Sequence, residues 1–113
     1  MTHLKIDYVE FASTELAKSK AFFDRAFGWT FQDYGPDYAA MTNAGLDGGL
    51  QSDPAEAGAL PLIILKADDL EAAETAVTQA GGTITRPIFA FPGGLRFHFR
   101  EPGGNELAVW SET

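Results

Sequence analysis

The chain has 113 residues, of which 45% are hydrophobic and 21% charged, and a formal net charge of -8; this is the composition of one globular domain able to bury a core. It contains no cysteine, which excludes disulfides, thiolate zinc sites and cysteine nucleophiles. The acidic balance speaks against a nucleic-acid partner and is compatible both with plain solubility and with a cationic or neutral small ligand.

Residues 5–12 read as a strand, with Ile6, Val9 and Phe11 apolar and β-prone. Ser13-Thr14-Glu15 is helix-start chemistry. Leu16, Phe22, Phe23, Ala26 and Phe27 then fall at helical spacing, and Gly28 stops the run. A strand begins in Trp29 to Asp33, and Tyr34-Gly35-Pro36-Asp37 is a turn. Tyr38 to Thr42 and the glycine-rich Gly45 to Gln51 are two further strands. Ser52 to Gly58 is small and polar, a linker.

The order then repeats. Leu60 to Ala67 is a continuous apolar strand broken by Pro61 and Lys66. Asp68-Asp69 caps a helix from Leu70 to about Ala80, which Gly81-Gly82 ends. Thr83 to Ile88 is a strand, Pro92-Gly93-Gly94 a turn, and Leu95 to Arg100 an alternating strand. Pro102-Gly103-Gly104-Asn105 turns into the last strand, Glu106 to Ser111. Leu16/Leu70, Ala26/Ala80 and Gly28/Gly82 match without a gap at an offset of 54 residues. One supersecondary unit used twice is the meaning of such a repeat. The expectation is an α+β domain of two βαβββ modules, with helices near residues 14–27 and 69–80. Module one spans about 4–51, the linker 52–59 and module two about 60–111.

Three segments carry a family resemblance. Ala21-Phe22-Phe23-Asp24-Arg25-Ala26-Phe27-Gly28-Trp29 is similar to an "FY…LGW" helix end. Lys66-Ala67-Asp68-Asp69-Leu70-Glu71-Ala72-Ala73 is similar to a "vDDLeaa" helix start, and Arg100-Glu101-Pro102-Gly103-Gly104-Asn105-Glu106-Leu107 to a "DPxGN" hairpin with Glu101 for the usual Asp. Together they resemble the glyoxalase / bleomycin-resistance / dioxygenase superfamily, the vicinal-oxygen-chelate fold. The resemblance implies curved half-barrel mixed sheets with helices outside and a cavity inside. It also implies a homodimer, since family members commonly close the cavity by pairing modules.

Pleat parity then assigns faces. Val9, Phe11, Ile63, Leu65, Leu95, Phe97 and Phe99 should face the helices, and Tyr8, Glu10, Ala12, Leu62, Ile64, Lys66, Arg96, His98, Arg100, Ala108 and Trp110 the cavity. Metal-dependent members of the family hold one divalent ion with His or Glu at positions that here are Tyr8, Leu62, Ala108 and the Gly48-Gly49 pair. Leu62, Ala108 and the glycines have no donor, and an ion needs at least three. The reading is therefore a chain without metal or other cofactor and with no assigned catalytic residue.

Tyr8, Glu10, Arg96, His98 and Trp110 are the candidate ligand-binding residues, expected to converge on one aromatic-lined cavity. Glu10 serves either as partner to a neighbouring cation or as a general base, and His98 as a structural or a catalytic histidine. Residues 1–7 lack the apolar run of a signal peptide, and no segment approaches the roughly 18 apolar residues of a membrane span. The expected partners are a small-molecule ligand and a second copy, with no membrane, in the cytoplasm. The expected function is bleomycin-resistance-like binding of a small organic molecule. The alternative is a glyoxalase-type lyase, isomerase or dioxygenase-like enzyme, using a metal or Glu10 and His98.

Overall fold

A computed structural model describes residues 3–58 and 61–113. Ala59 and Leu60, the expected end of the linker and start of the fifth strand, lie outside the described residues. Among the described residues the order is β1 (Lys5–Ala12), α1 (Leu16–Phe27), β2 (Phe31–Asp33), β3 (Tyr38–Met41), β4 (Gly48–Gln51), then β5 (Leu62–Lys66), α2 (Leu70–Gln79), β6 (Thr83–Phe91), β7 (Gly94–Arg100) and β8 (Glu106–Ser111). This is βαβββ twice, and the fold class is α+β. No helix among the described residues is long and apolar enough to cross a membrane.

The chain divides into two compact units, Tyr8–Leu62 and Ile63–Thr113, the second joined by the residues up to Asp7. In the first, the strand order is β2-β3-β4-β1; β1 runs parallel to β4, and the other neighbours are antiparallel. In the second, the order is β5-β8-β7-β6, with β5 parallel to β8 and the rest antiparallel. The same topology is built twice, as the repeat requires.

The second unit has the denser core. Asp69 caps α2 by accepting the Ala72 N–H at 3.0 Å. That helix buries Leu70 and Ala73 against Ala67, Phe97, Phe99 and Val109, and Leu65, Leu95 and Leu107 pack onto the cluster. Leu65, Leu95, Phe97 and Phe99 thus lie on the helix side of the sheet, and Arg96 and His98 alternate with them. In the first unit, Phe23 of α1 stacks on Trp29 at 4.7 Å and meets Phe11 of β1 at 6.2 Å. No α1 residue is fully buried, however, and Phe22 and Phe27 are 59% and 63% exposed.

Two boundaries differ from expectation for local reasons. Helix α1 begins at Leu16 because Ser13 is spent on the approach: its Oγ accepts the Glu15 N–H at 3.2 Å and bonds the Ser19 hydroxyl at 2.6 Å. Strand β6 runs on past Ile88 to Phe91, with register shifts between Ile84 and Arg86 and between Arg86 and Phe89. Pro87 falls within the second of these shifts. Its missing N–H is tolerated because β6 ends the strand order and carries irregularities there.

Candidate functional site

In the first unit the site is built over glycine. Glu10 and Gly49 are register partners on β1 and β4, and Gly49 is in turn opposite Ala40 of β3. Tyr38 at the start of β3 crosses β4 diagonally, and its phenol lies where a Cβ on Gly49 would sit. A side chain at position 49 would therefore collide with it. Across this gap the Tyr38 hydroxyl reaches the Tyr8 hydroxyl at 2.5 Å, and the Glu10 charge acts on the Tyr38 phenol. Glu10 is a carboxylate only 7% exposed.

Burial, then the Glu10 charge, push the Tyr38 phenol far above its ordinary range. Burial likewise raises Tyr8, partly offset by its hydrogen bond to Tyr38, while Glu10 and Asp47 raise it further. Both phenols hold their protons at neutral pH.

The second unit carries cations laid on aromatic rings. The Arg96 guanidinium, 9% exposed, lies 5.1 Å from the Phe89 ring centre and 5.2 Å from that of Phe91. Arg86 covers Phe89 at 3.8 Å. His98, 7% exposed, stands 5.8 Å from the Phe89 ring, and its Nδ1 is 3.8 Å from Glu106, which also accepts the Thr85 hydroxyl at 2.8 Å. Phe91 meets Trp110 edge-on at 6.0 Å, and Lys66 lies 5.0 Å over the same indole. Contacts of this kind hold guanidinium groups against the faces of aromatic rings.

Of the five candidate binding residues, Tyr8, bonded to Tyr38, and Glu10 lie two apart on β1 in one unit. Arg96, His98 and Trp110 are linked through Phe89 and Phe91 in the other. Trp110 also uses its indole N–H, donating to Asp7 at 3.0 Å. Lys66, expected on the inner face, is paired with Glu112 at 3.0 Å and is 41% exposed, and Arg100 at the end of β7 is exposed. Sequence reasoning missed Tyr38, Phe89, Phe91 and Arg86. The signal for Tyr38 was the pair Gly48-Gly49: two glycines in a short strand mark a place where something else approaches closely.

The family's ion does not fit these residues. Tyr8 is a protonated phenol engaged with Tyr38, Leu62 and Ala108 have no donor atom, and Ala108 is fully buried. Among the described residues, no group of three or more His, Asp or Glu side chains is placed to hold an ion.

The model of the Glyoxalase/Bleomycin resistance protein/Dioxygenase superfamily matches residues 5–109, so the chain belongs to that superfamily. No curated protein sequence matches it. Among solved structures, one described as NAD-dependent benzaldehyde dehydrogenase from Legionella pneumophila is similar with TM-score 0.76 and 16% identity, over 92% of this chain and 96% of that one. A glyoxalase/bleomycin resistance protein/dioxygenase superfamily member from Vibrio splendidus 12B01 is similar with TM-score 0.72 and 17% identity, over 96% and 99%. The Mn(II)-bound glyoxalase from Novosphingobium aromaticivorans is similar with TM-score 0.68 and 23% identity, over 96% of this chain and 38% of that longer one. At these identities the likeness is one of fold.

Proposed function

We propose that this chain binds a small organic molecule without a metal ion, in the manner of the bleomycin-resistance branch of its superfamily. The observation that carries the reading is the hydrogen bond that ties the Tyr8 phenol, at a position where the resemblance would put an ion-binding residue, to Tyr38. Tyr8 and Glu10 in one unit and Arg96, His98 and Trp110 in the other are the proposed contact residues. Aromatic walls with a few fixed polar groups are what such sites are made of.

A protein-observed NMR screen with aromatic fragments tests this. Fragments should perturb the backbone amides of those five residues; a screen whose hits all fall elsewhere would sink the assignment. The same protein is proposed to be a homodimer. Phe22 and Phe27 of α1, with Ile6 and Leu46, are large apolar side chains left exposed, as at association surfaces. Light scattering should give twice the chain mass at micromolar concentration, and a monomer throughout that range would contradict it.

A further inference from the structure

We propose that the exposed face of α1 is a docking surface for a second copy of this chain, and that the acidic outer face of α2 covers it. This rests on the homodimer reading above and locates its interface.

The outer face of α1 is apolar and basic at once. Ala17, Lys18, Ala21, Phe22, Arg25 and Ala26 line a shallow groove along it. All but the half-buried Ala21 are exposed. The helix carries Lys18, Lys20 and Arg25 against one acid, Asp24, in a chain whose net charge is -8. Lys18 lies 3.2 Å from Glu15, but both side chains are well exposed, so water screens that pair.

A second α1 is a poor occupant. Lys18 and Arg25 are two helical turns apart and share the groove. Antiparallel pairing of two such faces sets Lys18 opposite Arg25, and parallel pairing sets like on like. Both juxtapose cations, which costs affinity.

The complement is α2. It buries Leu70 and Ala73, carries Glu71 and Glu74, and has no basic residue. Opposite its buried side, Glu71, Ala72 and Thr75 are exposed, with Asp68 just before the helix. The acids match Lys18 and Arg25, and the small Ala72 and Thr75 leave room for the Phe22 ring. Made twice about a two-fold axis, α1 on α2 and α2 on α1, the contact closes a dimer.

Sedimentation velocity on two charge-reversed proteins tests this. One carries Lys18→Glu with Arg25→Glu, the other Asp68→Lys with Glu71→Lys. Each alone opposes like charges and should raise the dimer dissociation constant about tenfold or more. Mixed, they should recover a dimer holding one chain of each, because both contacts are complementary again. Phe22→Ala, which leaves every charge in place, should also weaken the dimer about tenfold. In protein dilute enough to be monomeric it should hardly alter unfolding. A dimer that neither reversal nor Phe22→Ala weakens overturns the assignment and leaves the homodimer reading standing with another interface. Reversed proteins that fold by circular dichroism, lose the dimer and do not recover it on mixing also overturn the assignment, since the occupant is then not α2. A parent protein that is monomeric throughout the micromolar range overturns both.

Discussion

The two units share one topology and differ in almost everything hung on it. Each has a parallel pair flanked by antiparallel strands and a single helix after its first strand. Yet Tyr8 corresponds to Leu62 and Glu10 to Ile64 at the repeat offset. The first unit thereby acquires a phenol and a buried acidic side chain, and the second obtains its polar groups from β7 instead, as Arg96 and His98 against aromatic rings. The helices diverge as well. Helix α2 locks into the Phe97–Phe99–Val109 core, while α1 buries no residue completely. A duplicated frame constrains where strands and helices go; a handful of side chains at equivalent positions decides the chemistry of each copy.

The contrast between the helices predicts the largest effect. Phe97 is fully buried, and Phe97→Ala should cost about 3–5 kcal/mol in urea unfolding, the usual range for removing a core aromatic. Phe22→Ala in α1 should cost under about 0.5 kcal/mol, as for an exposed site. Comparable losses at both positions would erase the distinction between a packed and a loosely held helix. Gly49→Ala comes next. It displaces the Tyr38 hydroxyl from Tyr8, and losing the bond between two part-buried phenols should cost about 1–3 kcal/mol. An unchanged urea midpoint would mean that the phenol chain is not held over that glycine.

Capping gives a smaller and cleaner comparison. Asp69→Ala removes the bond to the Ala72 N–H and should cost about 1 kcal/mol, whereas Glu15, which makes no side-chain cap bond, should be replaceable by Ala within about 0.5 kcal/mol. Smallest is a pH effect at the β7–β8 hairpin. Glu101 accepts the Gly103 N–H at 2.5 Å and, through its other oxygen, the Asn105 N–H at 3.0 Å and the Asn105 side-chain amide at 2.6 Å. These bonds, that from Gly103 foremost, lower its pKa below the ordinary 4.5. A carboxyl with a depressed folded-state value contributes stability above its unfolded value and loses it as pH falls through the folded one. The urea midpoint should therefore drop on acidification below about pH 4.5 by more in the parent protein than in Glu101→Gln. Parallel curves would show that the turn does not depend on the charge.

Much of this was legible in the residues. The 54-residue offset placed both helices, and alternation along β7 separated Leu95, Phe97 and Phe99 from Arg96 and His98, because a pleated strand has only two faces. The side-chain connections were not legible. Tyr8 and Tyr38 are 30 residues apart, and Asp7 and Trp110 are 103 apart. Such contacts depend on diagonal reach across a strand rather than on any local pattern. The expected β6 ended at Ile88, whereas the strand continues through register shifts to Phe91.

The central claim is that phenols and apolar groups have replaced an ion at Tyr8, Leu62 and Ala108. Elemental analysis, after dialysis, of protein purified without chelator tests this most directly. The account predicts Zn, Ni, Fe and Mn far below one ion per chain, in the parent protein and in Tyr8→Phe alike. A near-stoichiometric ion that survives dialysis and is lost in Tyr8→Phe would contradict it.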